Sequence, residues 1–370
     1  MARKVKFRTG LLLAAAAGLA AYLAFWPVPA QPVAWHAPKD LGHWGPHATN
    51  HALAALRHVD LGSDRGPEHV AFGPDGRLYV AVAGGRVLRM AADGSRREVF
   101  ADTGGRVLGF DFDASGHLVA ADAYRGLLSI APDGAATVLA DAFEGQPIRY
   151  ADAVVVADDG RIYFTDASTR FAPADWGGTF EASVLDILEQ SATGRVFEYD
   201  PATRALRLVA RGLSFANGIE LTADQGALLV VETGQYRVWR IDREARALDV
   251  RQPSPQAFAL FDNLPGYPDN LMRGLDGRIW VGFTKPRSAL VDAMAPYPFL
   301  RRMTLRLPRW LWPVPPAYGH VMAFNEEGHV VADLQDPSGA YPETTAVTET
   351  RGRLYVQSLH AGTLGWLPND

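Results

Sequence analysis

Gly66-Pro67-Glu68-His69-Val70-Ala71-Phe72-Gly73-Pro74-Asp75-Gly76-Arg77-Leu78-Tyr79-Val80 reads as a strand, a tight turn and a second strand. Pro74 presets the first turn angle, and Gly76 supplies the positive φ that such turns often need. A carboxylate, Glu68, stands just before the first apolar run. The same phrase returns along the chain. Its turns are Asp75-Gly76, Ser115-Gly116, Asp159-Gly160, Gln225-Gly226, Asp276-Gly277 and Arg351-Gly352. The strands that follow are RLYVAV, HLVAAD, RIYFTD, ALLVVE, RIWVGF and RLYVQS. The turn glycines lie 40, 44, 66, 51 and 75 residues apart. A base period of roughly 40–50 residues with short strands marks a β-propeller, and six phrases predict six blades. The alternative, an irregular β-sandwich, does not explain the regular restart.

The predicted class is therefore all-β: a six-bladed propeller over residues 53–370, preceded by an N-terminal transmembrane helix. The strand 56–61 is expected to close the ring by pairing into the last blade, which leaves no free sheet edge. The two longest spacings mark insertions near 168–192 and 284–318. The second mixes Tyr297, Phe299, Trp310 and Trp312 with Arg301, Arg302, Arg306 and Arg309. That mixture suits a lid over a pocket, contact with a membrane surface, or a helix packed on one end of the propeller.

The chain has 370 residues, 48% hydrophobic and 21% charged, which is ordinary for a globular protein. It has no cysteine, so disulfides, thiolate metal sites and a cysteine nucleophile are excluded. The net charge is −5. Arg3, Lys4, Lys6 and Arg8 have no acidic counterpart before residue 30, so the remaining body is more acidic still. Such a body lacks the basic stripe that nucleic acid requires.

Leu11 to Trp26 is an unbroken apolar run behind that basic start. Residues 10–28 just reach the length of a membrane span. Tyr22, Phe25 and Trp26 suit an interfacial belt. Val28-Pro29-Ala30 is a weaker candidate for signal-peptide cleavage. The expected organisation is a cytoplasmic tail and signal anchor (1–28), a linker (29–52) and the propeller. The positive flank stays inside, so the propeller is placed on the extracytoplasmic side, or secreted if the segment is cleaved.

In a propeller, the first residues of the innermost strands ring one mouth of the central tunnel. Counting back eight from the turn glycine gives Glu68, Leu108, Asp152 and Asp269; counting back nine from Gly226 gives Asn217. Converging carboxylate and amide oxygens without thiolates describe a site for a hard cation, Ca²⁺ before Mg²⁺ or Zn²⁺. For any one of these residues, a turn-capping role is the plainer alternative. His69, His320 and His360 are the histidines that could approach the mouth. No Gly-x-Ser-x-Gly nucleophile motif is present.

GPEHVAFGPDGRLYV, YADAVVVADDGRIYFTDAS, GLSFANGIELTADQGALLVVET and NLPGYPDNLMRGLDGRIWVGF together resemble the strictosidine synthase-like proteins. These belong to the six-bladed superfamily of gluconolactonases (senescence marker protein) and paraoxonases. The likeness runs over about residues 60–368, and is greatest to the plasma membrane-associated members that carry a signal anchor. It implies an axial calcium held by Glu68, Asn217 and Asp269, with Asn270 a further ligand. It also implies hydrolysis of a small-molecule lactone or aryl ester. Asp152 or Asp269 is then the carboxylate that helps water attack. Two departures stand out. The resemblance aligns Ala151-Asp152 with a usual Asn-Asp in the third blade, and Leu108-Gly109 with the paraoxonase His-Gly in the second. The rival reading is a non-catalytic, membrane-tethered binding propeller with structural calcium.

Overall fold

The computed structural model describes residues 2–369, with side chains from residue 8 onward. The basic residues Arg3, Lys4 and Lys6 of the tail lie outside the described side chains. The propeller body comprises residues 39–187, 192–287 and 315–370. Six sheets make up its ring, antiparallel throughout except for a short fifth strand, Leu248–Asp249, that pairs parallel with Ala205–Leu213 in one of them. Their first strands are His69–Phe72, Val107–Phe112, Ala151–Val156, Ala216–Leu221, Gly266–Arg273 and Thr344–Glu349. We number the blades 1 to 6 in that order. Each first strand touches those of the neighbouring blades, so these strands line the tunnel.

The predicted closure is present. Arg57–Asp60 pairs antiparallel with Thr363–Pro368, in register Arg57↔Trp366 to Asp60↔Thr363. The edge strand of blade 6 thus comes from the front of the chain, and unfolding must separate both ends of the repeat array at once.

Four of the six turn glycines, Gly76, Gly116, Gly160 and Gly277, take the expected positive φ, and Gly226 and Gly352 do not. Gly76 sits at φ 71°, where a side chain would be strained. In the Gln225-Gly226 turn the left-handed residue is Gln225, at φ 58°. Apolar clusters fill the space between blades, as in Val70, Leu78, Val80 and Leu88 packed with Leu364 and Tyr355 of the closing blade. A Cβ on Gly218 would lie 2.5 Å from the Asp269 carbonyl oxygen and from the Leu271 nitrogen. Glycine there lets the inner strand of blade 4 approach that of blade 5, next to the predicted site.

The insertions are helical. The first holds α2 (Pro173–Trp176) and most of α3 (Thr179–Glu189). A second unit comprises residues 1–38, 188–191 and 288–314. It contains the apolar helix, here α1 (Ala2–Phe25), with α4 (Ala289–Met294) and α5 (Pro298–Arg306). Arg8–Phe25 has a mean hydropathy of 1.5 and is long and apolar enough to cross a membrane. Arg306 donates to the carbonyl oxygens of Trp26 (2.6 Å) and Leu23 (2.7 Å). A guanidinium therefore satisfies carbonyls that the end of α1 leaves open. Arg301 is buried in the same unit and donates to the carbonyls of Leu188 (2.8 Å) and Ala295 (2.9 Å).

Candidate functional site

Strand register shows which residues occupy equivalent positions around the tunnel. In blade 4, Ala216 pairs with Glu232 and Ile219 with Val230, a bulge that leaves Asn217 and Gly218 between them. Blade 3 repeats this with Ala151↔Asp166 and Val154↔Phe164, and blade 5 with Pro268↔Phe283 and Leu271↔Val281. Blade 6 does the same with Thr344↔Ser358 and Val347↔Val356. Asp152, Asn217, Asp269 and Thr345 are therefore equivalent. Glu68, immediately before the first strand of blade 1, and Leu108 in blade 2 complete the ring. All six are buried. Thr345 is the member that counting back eight misses; it donates from Oγ1 to the Glu68 carbonyl at 2.8 Å.

The register also reassigns the third-blade departure. Ala151 is equivalent to Ala216, not to Asn217. Its methyl packs in the apolar cluster of Ile148, Val154, Ile162 and Phe164. Asp152 is the residue in the ring position.

A second set of buried acids sits at the far end of the neighbouring strands. Asp166 accepts from the Tyr150 nitrogen (2.9 Å) and from Arg195 Nη2 (2.5 Å). Glu232 accepts from the Ser214 nitrogen (2.8 Å) and Trp239 Nε1 (2.7 Å). Asp122 accepts from the Arg106 nitrogen (3.1 Å) and Thr103 Oγ1 (2.7 Å). Each fixes the backbone two or three residues before a ring position, so the acids ending HLVAAD, RIYFTD and ALLVVE aim Leu108, Asp152 and Asn217. Sequence reading noted these strands but not this role.

The ring acids have few such donors. Glu68 Oε2 meets Arg106 Nη2 at 2.5 Å. Burial raises the Glu68 pKa, and Arg106 opposes the rise. Burial pushes Asp269 well above the carboxylate range, with Glu68 and Asp152 adding repulsion and a bond from Asn217 opposing. Asp152 is pushed well up by burial, then by Glu68 and Asp166. The mutual repulsion places Glu68, Asp152 and Asp269 in one electrostatic cluster. The amides beside them are under-used. Asn217 Nδ2 donates to Thr233 Oγ1 at 3.1 Å, while its Oδ1 is buried without a partner. Asn270 leaves both Oδ1 and Nδ2 buried without a partner. Buried polar atoms are ordinarily bonded, so this concentration of bare oxygens points to a ligand. The donor set fits a hard divalent cation: oxygens only, three carboxylates and one guanidinium, hence a charge deficit of two.

His360 and Glu343 stand at the same mouth. His360 Nδ1 bonds Glu343 Oε2, and Lys285 Nζ lies 2.9 Å from Glu343 Oε1. The Glu343 bond raises the His360 pKa, and the Glu68 charge contributes to the rise. The His360 side chain is 58% exposed, and its ring lies 6.3 Å from Phe180 of α3. The first insertion therefore borders the mouth. His69 is buried against Phe110 (4.6 Å), and burial lowers its pKa to about 4. His320 pairs with Asp333 rather than with the ring acids.

Solved propellers share this architecture. A gluconolactonase from Xanthomonas campestris aligns with TM-score 0.60 and 20% identity over 93% of this chain and 99% of its own. Regucalcin from Agrobacterium tumefaciens, a calcium-binding protein, aligns with TM-score 0.57 and 14% identity over 84% and 93%. These define the fold class, a gluconolactonase-like six-bladed propeller. Sequence gives the family. Residues 152–243 match the strictosidine synthase family model, and residues 45–90 match the strictosidine synthase-like N-terminal model. Strictosidine synthase-like protein 6 of Arabidopsis thaliana is 31% identical over 320 residues, covering 84% of this chain and 80% of that protein. The adipocyte plasma membrane-associated protein of Salmo salar is 30% identical over 324 residues, covering 80% and 74%. The chain belongs to the strictosidine synthase-like family.

Proposed function

We propose that the protein is a membrane-anchored, calcium-dependent hydrolase of small lactones or aryl esters. The observation that carries this reading is the pair of bare, buried amide oxygens, on Asn217 and Asn270, beside Asp269 and Glu68. Glu68, Asn217, Asp269 and Asn270 would hold the cation. When bound, it would supply Lewis-acid polarisation of the substrate carbonyl. The calcium-binding regucalcin and the gluconolactonase share the fold, and that likeness supports the reading.

The chain's own groups have distinct tasks. Asp152 is the carboxylate in the ring that the metal set does not need, and it takes the proton from the attacking water at its side-chain oxygen. Asp269, as a metal ligand, is a poor base. Arg106 leaves Nη1 buried and without a partner, a donor for the oxyanion that develops on the substrate. His360, oriented by Glu343 and open to solvent, passes the proton outward. Phe180 gives the substrate an apolar wall. α1 anchors the chain. Trp310, 81% exposed, and Phe299 in the same unit suit the headgroup region.

The test is a panel of γ- and δ-lactones and phenyl acetate, assayed with calcium and with chelator. Turnover should require calcium, and Asp152→Asn should lower kcat by a factor of about 10²–10⁴ with calcium binding retained. Calcium binding without turnover of any of these substrates would replace this reading with the non-catalytic binding propeller.

A further inference from the structure

A separate cluster of donors lies on the outer strands of blade 5. His320 is near the start of the strand Gly319–Phe324, Asp333 lies in Val330–Asp336, and His47 ends the 3-10 turn Gly45–His47. His47 Nδ1 lies 2.7 Å from Asp333 Oδ2, and His320 Nε2 lies 2.9 Å from the same oxygen. These three atoms all lie within 4.8 Å of one another. His43 joins them from the preceding loop. Its ring stacks on Tyr318 at 4.9 Å and stands 5.7 Å from the His320 ring. His43 Nε2 is shut off from solvent and has no hydrogen-bond partner.

A second layer holds the carboxylate. Gln335 Nε2 donates to Asp333 Oδ1, and Tyr318 donates to Gln335 Oε1 at 2.7 Å. Asn50 donates to the Asp333 carbonyl at 3.0 Å and accepts from the Gln335 nitrogen at 2.9 Å. One carboxylate oxygen is thus fixed from behind, and the other is turned to the histidines. This is how proteins orient metal ligands.

We propose that His43, His47, His320 and Asp333 bind one first-row divalent cation, zinc before the others. Three imidazoles and one carboxylate, with no thiolate, form a borderline donor set that suits tetrahedral zinc. Zn–N and Zn–O bonds of about 2.0–2.1 Å place tetrahedral ligand atoms about 3.3 Å apart. The present 2.7 and 2.9 Å separations must therefore open by about half an ångström, a small side-chain adjustment. His47 and His320 then carry their protons on the other ring nitrogen, and His43 turns Nε2 inward as fourth ligand. A hydrogen-bonded His-Asp-His trio would account for three of these side chains, but it leaves His43 Nε2 unexplained. With four protein ligands the site is closed, and its role is structural. It would staple residues 43–47, which lead into the ring-closing strand, to the outer strands of blade 5.

The full-length chain, solubilised in detergent, free of any histidine tag and stripped with chelator, is titrated with Zn²⁺ by calorimetry and with Co²⁺ by visible absorption. One equivalent of Zn²⁺ should bind, and Co²⁺ should give a tetrahedral d–d spectrum that Zn²⁺ abolishes. His47→Gln should weaken Zn²⁺ binding at least about 100-fold, because even residues behind a ligand are worth 10–100-fold. Its position in a half-exposed turn lets the propeller fold, and unchanged circular dichroism checks this. Asp269→Asn should leave Zn²⁺ binding intact, which separates this site from the tunnel mouth. Absence of stoichiometric Zn²⁺ binding, or equal affinity in wild type, His43→Gln and His47→Gln, would overturn the proposal.

Discussion

Two sets of buried acids lie within a few residues of each other and have opposite chemistry. Asp122, Asp166 and Glu232 end the second strands of blades 2, 3 and 4; Glu68, Asp152 and Asp269 belong to the ring at the tunnel mouth. The two sets differ in their donors. Backbone N–H groups and Arg195 surround Asp166, whereas Asp152 has mainly other acids for company. Burial raises the Asp166 pKa too, but Arg195 and two backbone N–H groups oppose it directly. A buried carboxylate supplied with donors is a structural part. One left among carboxylates and bare amide oxygens is what the proposed cation would complete.

The largest effect expected from this contrast is on stability. Asp166→Asn removes the charge that Arg195 and the Tyr150 nitrogen meet, and strands a largely buried guanidinium. Breaking a buried pair from one side costs about 3–5 kcal/mol. Denaturant unfolding should show a loss of that size with or without calcium. If Asp166→Asn costs less than 1 kcal/mol, the second set of acids does not hold the inner strands.

Asp269→Asn should behave in the opposite way. In metal-free protein it relieves repulsion with Glu68 and Asp152, so stability should hold or rise. Calcium at about one hundred times its Kd adds about 2.7 kcal/mol to a native state that binds one ion. Wild type should show that gain as a rise in melting temperature of a few degrees, and Asp269→Asn should lose it. An equal calcium response in both proteins would remove Asp269 from the metal set.

pH sharpens the same contrast. Asp152 and Asp269 have folded-state pKa values well above the ordinary carboxylate value, so between that value and the folded pKa the native state holds more protons than the unfolded chain. Stability from these groups is then greatest at low pH and falls as pH rises from about 4 toward their raised folded-state values. The slope is at most about 1.4 kcal/mol per pH unit for each group. Calcium should flatten it, because the ion replaces the proton as counter-charge. Thermal melts from pH 4.5 to 8 with chelator and with calcium measure the difference. Parallel curves would mean that the ring acids are not where calcium acts.

Much of this was legible in the sequence, because a propeller repeats one short phrase and its turns fix the phase. Counting back from Gly76, Gly116, Gly160 and Gly277 reached the ring residues. At Gly226 a longer turn, with Gln225 in the left-handed region, shifted the count by one. At Gly352 the count of eight reaches Thr344, one short of Thr345. Which of Ala151 and Asp152 faces the tunnel was not legible, because a bulge decides it and a bulge leaves no local mark. The second set of acids was not legible either, since their donors are backbone N–H groups at a distance of about 16 residues. The cluster of His43, His47, His320 and Asp333 joins residues nearly 300 positions apart, and only the folded ring brings them together.

The smallest predicted effect probes the one apolar member of the ring. Leu108 occupies the blade 2 position equivalent to Asp152 and Asn217, and it is 3% exposed. Leu108→Asn adds a neutral oxygen and no charge, so it leaves the charge deficit of the mouth unchanged. One such oxygen, exchanged for water on a cation, is worth about 1 kcal/mol, or about fivefold in affinity. Calcium titration should therefore show tightening of that order, well below the loss expected for Asp269→Asn. The inner strand tolerates the change because Asp122 still holds the Arg106 nitrogen that sets the direction of this position. The same amide introduced at Ala151 faces the apolar cluster behind the ring, and it should not tighten calcium at all. If Ala151→Asn tightens calcium and Leu108→Asn does not, the register that places Asp152 and Leu108 in the ring is wrong.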